Sequence, residues 1–181
     1  EDLLDFNIVL DSTSLQDAEV INLNQEIEQA LSLWALDIKR KQLTVIQQVD
    51  DISLQCNSKQ LSVILDNILS NAIKFSPDKG TITIKGWIEQ QRLQLTITDQ
   101  GVGIEPSLYN KIFDAFYQGP TAHNSQIKSS GLGLTIVKEL LMRLNGSITI
   151  ESIASTSTTF KISLPKTQLM TPIKTYHLEK S

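Results

Sequence analysis

Asn67-Ile68-Leu69-Ser70-Asn71-Ala72-Ile73-Lys74-Phe75-Ser76 closes the stretch around which the rest of the sequence is organised. From residue 58 to 76, Leu61, Ile64, Leu65, Ile68, Leu69, Ala72 and Phe75 recur at three and four, and Pro77 stops the run. That spacing predicts an amphipathic helix. Asn67, Asn71 and Lys74 then lie at i, i+4 and i+7, within about 60° of one another at 100° per residue. They form a polar stripe beside the buried face. Two amide oxygens suit a hard divalent cation and an ammonium suits phosphate, a combination fitted to Mg-nucleotide. Plain solvated surface is the alternative reading of the same stripe.

Downstream, Thr81 to Glu89 and Leu93 to Thr98 alternate in hydrophobicity around Gln90-Gln91, which predicts a hairpin. Asp99-Gln100-Gly101-Val102-Gly103-Ile104 follows at the strand tip. A carboxylate there can accept a hydrogen bond from an exocyclic amine, and glycines allow close backbone approach; a conformational turn is the alternative. Residues 99–130 read as loop with one short helix near Pro106 to Phe113. Ser129-Ser130-Gly131-Leu132-Gly133-Leu134 opens a second apolar helix, about 132–145, ending at Asn145-Gly146. The first amides of that helix suit an anion. The pattern is neither a Walker loop nor the dinucleotide fingerprint. Strands near Ser147–Ser152 and Thr159–Leu164 follow.

Upstream, Glu19 to Leu23 reads as a strand. Asn24 is the expected cap of a helix with Ile27, Ala30, Leu31 and Trp34 on its apolar face. This helix fades into Lys39-Arg40-Lys41, cations that suit a helix C-terminus. Strands are expected at Leu43 to Val49 and Ile52 to Cys56. Residues 1–10 look like the end of a longer helix, and Lys166 to Ser181 like a tail.

The chain has 181 residues, 40% of them hydrophobic, and 16 Lys plus Arg against 20 Asp plus Glu give a net charge of −4. One core domain with short appendages is expected at this length. The acidic balance and scattered cations argue against a nucleic-acid partner. The single Cys56 forms no intrachain disulfide and lacks the partner spacing of a zinc site, which points to a cytoplasmic setting. No run approaches the roughly 18 apolar residues of a membrane span, and the opening Glu-Asp-Leu-Leu-Asp lacks the basic start of a signal peptide.

Taken in order, these segments resemble the ATP-binding catalytic domain of two-component sensor histidine kinases, within the superfamily that includes gyrase, Hsp90 and MutL-type ATPases. The likeness covers roughly residues 1–165. Asn67 to Ser76 is similar to the family's N box, Asp99 to Ile104 to its G1 box, Ile112 to Gln118 to its F box and Ser130 to Leu134 to its G2 box. The resemblance implies an α/β two-layer sandwich of the Bergerat type, a mixed, mainly antiparallel sheet covered on one face by three helices. It divides the chain into the end of a dimerisation helix and linker (1–12), the catalytic domain (13–165) with an ATP lid at about 117–130, and a C-terminal tail (166–181).

By the same resemblance, Asn71 coordinates Mg²⁺, Asn67 supports metal and phosphates, and Lys74 contacts phosphate. Asp99 binds the adenine amino group, Gly101, Gly103 and Ile104 shape the adenine wall, and Thr158 lies near the base. Phe113 and Phe116 anchor the lid. Ser130 and the amides of Gly131, Leu132, Gly133 and Leu134 close on the phosphates. Lys128 stands in the lid within reach of phosphate, with a solvated role as its alternative, and His123 reads as a surface residue. The sequence departs from the family pattern at Ser129, Ser155 and Ser157, where glycines are usual, and at Ala115, where proline is usual. Each change is expected to stiffen or misdirect a turn.

Asn67 stands where the superfamily's ATPases carry a glutamate, and an amide cannot take the proton of an attacking water. Transfer to an outside acceptor is thereby favoured over hydrolysis. The implied acceptor is a histidine on a helical hairpin, and neither His123 nor His177 has that context. Residues 1–10 resemble the last turns of such a hairpin, so the chain is expected to bind Mg-ATP or Mg-ADP yet not autophosphorylate alone. A response regulator receiver domain is the implied downstream partner, and a homodimer the implied state of the full protein, with the chain itself monomeric. A regulatory nucleotide binder without turnover and a GHKL-type ATPase are the alternatives.

Overall fold

A computed structural model gives the fold, and the structure describes residues 18–118 and 131–167. Strand β1 (Glu19–Asn22) leads into helix α1 (Leu23–Leu33) and helix α2 (Ala35–Arg40). Strands β2 (Thr44–Val49) and β3 (Ser53–Cys56) precede helix α3 (Ser58–Phe75). The hairpin β4 (Thr81–Glu89) and β5 (Arg92–Asp99) follows. Two 3-10 turns, Pro106–Leu108 and Lys111–Phe113, then lead towards helix α4 (Gly133–Arg143), β6 (Ser147–Ile153) and β7 (Ser157–Pro165).

The main sheet has five strands in the order β2-β4-β5-β7-β6. Only β2 and β4 run parallel; the other pairings are antiparallel. Alternation explains its two faces. Leu93, Leu95 and Ile97 of β5 and Phe160, Ile162 and Leu164 of β7 point into the core, while Thr96, Thr98, Thr159 and Lys161 sit on the open face. Helices α1, α3 and α4 cover the inner face, with Leu61, Ile64, Leu65, Ile68 and Leu69 of α3 fully buried. Each such side chain contributes about 1.5–3 kcal/mol through burial.

A small second sheet pairs β1 with β3, antiparallel, with Glu19 opposite Cys56. Cys56 is buried, and burial, with Glu26 and Glu19 adding to it, pushes its thiol up to about 12. Among the described residues no helix is long and apolar enough to cross a membrane.

The expected hairpin is present, its turn made by Gln90 and Gln91 at φ 50° and 60°. Three sequence expectations change. Asn22, not Asn24, caps α1, accepting from the amide of Gln25 at 3.2 Å. Asn24 instead donates to Asp50 O, so its amide ties the helix to the loop after β2. The first helix also does not run on to Lys41, because Trp34 interrupts it and α2 begins anew at Ala35. The single short helix expected near 106–113 is resolved into two 3-10 turns. The dimerisation-helix end, residues 1–12, lies outside the described residues, as does the tail beyond Thr167. Lys166 is tied by its amide to Gln91 O at 3.0 Å.

Candidate functional site

Helix α3 touches both glycine segments. At its middle, Asn67 Nδ2 donates to Val63 O at 2.8 Å, leaving Oδ1 against the start of α4; a methyl group on Gly133 would meet that oxygen at 2.5 Å. At its end, a methyl group on Gly101 would lie 2.8 Å from Phe75 O and 2.8 Å from Asp99 Oδ1. Eight residues of helix separate these contacts, about 12 Å at 1.5 Å per residue. Asn71 lies between them, half-buried, its amide without a side-chain hydrogen bond among the described residues.

Asp99 ends β5 and is only 3% exposed. Burial raises its carboxyl to about 6, against the pull of backbone N–H groups from Gly101 and Thr158. Gly101 N–H donates to Oδ1 at 2.8 Å, and Thr158 is Asp99's partner in register on β7 and is itself buried. Gly103 takes φ +74°, and a methyl group there would collide with Ile153 O at 2.6 Å. The next amide, of Ile104, donates to Ser152 Oγ at 2.7 Å, and that hydroxyl donates to Ser157 O at 2.8 Å. Tyr109 Oη both accepts from Ser152 N–H and donates to Ser152 O. Sequence reasoning did not single out Ser152 or Tyr109, and no local pattern marks them.

Of the departures from the glycine pattern, Ser155 takes the left-handed conformation at φ 58°, and its amide donates to Val102 O. The turn is therefore kept at a backbone cost of roughly 1 kcal/mol. Ser157 lies within β7, where its carbonyl receives Ser152. Ala115 is exposed.

The residues on either side of the expected lid, Phe116 and Gly131, meet. Phe116, exposed and at φ 63°, donates its amide to Gly131 O at 2.9 Å, and Gly131 takes φ +71° with Phe116 and Tyr117 packed against its α-carbon. Phe113 packs on the core and accepts from Thr135 Oγ1. Lys128, Ser129, Ser130 and His123 lie outside the described residues. Leu132 is buried at the N-cap of α4, where no side chain among the described residues caps the helix, and the amides of Gly133 and Leu134 belong to its first turn. By contrast Asn22 and Asn57 cap α1 and α3.

Lys74 is drawn aside. Its ammonium stands 5.4 Å from the centre of the Trp34 ring, whose Nε1 donates to Asp66 Oδ1 at 2.6 Å. Among the described residues no three His, Cys, Asp or Glu side chains converge as a metal cage. The donor set on this ridge is amide oxygen, which fits Mg²⁺ held mainly by phosphates and water with one or two protein ligands.

Residues 56–168 match a family described as histidine kinase-, DNA gyrase B-, and HSP90-like ATPase. The chain is 31% identical over 159 residues to the sensor histidine kinase WalK of Bacillus subtilis (strain 168), an overlap of 82% of this chain and 26% of that protein. It is 31% identical over 177 residues to the sensor histidine kinase GacS of Pseudomonas protegens, covering 92% of this chain and 19% of that one. The chain thus spans about a quarter or less of these relatives' length. Its fold is similar to that of a mycobacterial sensor histidine kinase, MprB, with TM-score 0.71 and 25% identity over 84% of this chain and 99% of that one. It also shares its fold with full-length ShkA in complex with AMPPNP, at TM-score 0.76 and 22% identity, over 95% of this chain and 36% of that one.

Proposed function

Because the chain belongs to the histidine kinase-, DNA gyrase B- and HSP90-like ATPase family, as an ATP-binding domain of the sensor histidine kinase kind, we propose that it holds Mg-ATP for transfer of the γ-phosphoryl group to a histidine on a separate helical hairpin. The observation that carries this reading is the double contact of α3, with Phe75 against the Asp99–Gly101 turn and Asn67 against Gly133 at the start of α4. One ridge thereby connects an adenine-reading carboxylate to an anion-accepting helix end.

In this reading Asp99 accepts a hydrogen bond from the adenine amino group, with Thr158 beside it and Gly101, Gly103 and Ile104 forming the wall. Asn71 and Asn67 turn amide oxygens towards the metal and phosphates, and Lys74 moves from the Trp34 ring to phosphate. The amides of Gly131 to Leu134, with Ser130 and Lys128, close over the phosphates. Mg²⁺, when bound, supplies charge neutralisation at the phosphate oxygens. In the transfer, the bond from the γ-phosphorus to the β,γ-bridging oxygen breaks, one forms to an imidazole nitrogen of the acceptor, and ADP leaves. Positioning and electrostatics suffice for that step. An amide at Asn67 leaves water without a base at that position, which supports transfer over hydrolysis. A response regulator receiver domain is the proposed next acceptor, and dimerisation is proposed to lie in the hairpin.

Calorimetric titration with Mg-ADP, then addition of a phosphoacceptor hairpin in trans with labelled Mg-ATP, tests the reading. Binding followed by label on the hairpin histidine is expected. Binding without transfer would favour a regulatory nucleotide module, and steady phosphate release without acceptor would favour an ATPase.

A further inference from the structure

Four carbonyls finish helix α3, those of Ile73, Lys74, Phe75 and Ser76. A helix end leaves such groups without intrahelical partners. Three of them converge on one cation. Lys41 Nζ donates to Ile73 O at 2.7 Å, Lys74 O at 2.9 Å and Ser76 O at 2.5 Å. The remaining one, Phe75 O, abuts Gly101, whose amide holds Asp99. The lysine comes from the turn between α2 and β2, more than thirty residues upstream, and is anchored there, since Lys41 O accepts from Lys79 N–H at 2.7 Å. It is half-buried, and burial lowers its pKa below the ordinary lysine value. In sequence Lys41 looks like the end of its own helix; in space it completes another.

We propose that Lys41 is a positioning residue that fixes the last turn of α3, and with it the spacing between Lys74 and the Gly101 turn, so that one nucleotide engages both ends of the site. The inference rests on the nucleotide reading above. Lys74 and Phe75 are consecutive residues of the turn that Lys41 caps. Without the ammonium, the carbonyls of that turn must find water and the turn frays. Asp99 ends β5 and is held from the sheet side by its register partner on β7, Thr158, and by that residue's amide, contacts that do not pass through α3. A ligand that touches only the Asp99 end is therefore indifferent to Lys41, whereas a ligand that spans the ridge depends on it.

The test compares adenosine with Mg-ADP by calorimetry on the 181-residue chain and its Lys41→Met variant, with thermal unfolding recorded in parallel. The expected result is adenosine affinity within about twofold of the parent and Mg-ADP affinity lower by about tenfold, the scale of a lost charge-assisted hydrogen bond. Lys41→Arg keeps the charge but not the single-atom donor and should fall between. If Lys41→Met fails to fold, the arginine variant carries the same comparison, a selective loss for Mg-ADP supporting the inference. Equal loss for both ligands, or no loss for either, overturns it and leaves Lys41 a general stabiliser. A parent chain that binds neither ligand overturns the nucleotide reading itself, and this inference with it.

Discussion

Around Asp99 the protein supplies its own partners. The carboxylate accepts two backbone amides, Ser152 and Tyr109 fasten the following loop to the β6–β7 hairpin, and Ser155 holds Val102. Along the ridge towards α4 it does the reverse. Among the described residues Asn71 has no side-chain partner and α4 no side-chain cap, and Lys74 rests on an aromatic face. The contrast shows how one site divides its labour: a buried, finished end can read the shape of a base, and an open end can receive charge only when a ligand brings it. Changes at the first end should therefore affect every adenine ligand, and changes at the second only those carrying phosphate.

The largest expected effect is at Asp99. Asp99→Asn should weaken both adenosine and Mg-ADP by on the order of a hundredfold, since it turns an acceptor into a donor facing an amine. Loss for Mg-ADP alone would break the division. Stability should respond with its own sign. Asp99 is raised from 3.8 to about 6, so the folded state favours the protonated acid. The ligand-free protein then loses stability as pH rises from about 4 to about 6, by about 3 kcal/mol at 1.36 kcal/mol per unit. Denaturant titrations across that window should show this slope in the parent and not in Asp99→Asn. Adenosine affinity should rise over the same window, because the amine binds the ionised form.

Gly133→Ala is next. Its methyl group would press on Asn67 Oδ1, and Mg-ADP affinity should fall by about tenfold with adenosine unchanged, the scale of an overpacked contact. Asn71→Ala should cost Mg-ADP about fivefold while leaving the unfolding free energy within about 0.5 kcal/mol, since the amide makes no side-chain hydrogen bond among the described residues. A large loss of stability there would mean that the open end is finished after all. Trp34→Leu is the smallest. Freed from the ring, Lys74 should bind phosphate more readily and raise Mg-ADP affinity by about twofold. A fall would instead make Trp34 a guide for the lysine.

Much of the fold was legible in periodicity. The α3 stripe and the 81–99 hairpin depend on neighbours three, four or two residues apart, and the structure has them. The break at Trp34 was not legible, because Ile27, Ala30, Leu31 and Trp34 keep helical spacing up to the point where the indole turns to Asp66, 32 residues away. Nor was the parallel pairing of β2 with β4, which joins segments separated by the whole of α3. At the site, Asn67, Asp99 and Gly133 could be named from their local boxes. That Gly133 is small because Asn67 lies against it, or that Ser152 receives the Ile104 amide, depends on folding back and leaves no spacing to read.

Cys56 gives the molecule a clock. As the sole sulfhydryl in the chain, shut into the small β1–β3 sheet and held protonated at neutral pH, it can meet an aromatic disulfide reagent only when that corner opens. The rate of its modification, followed by absorbance with nothing introduced into the protein, therefore times the opening of the layer on which α1 and α3 begin.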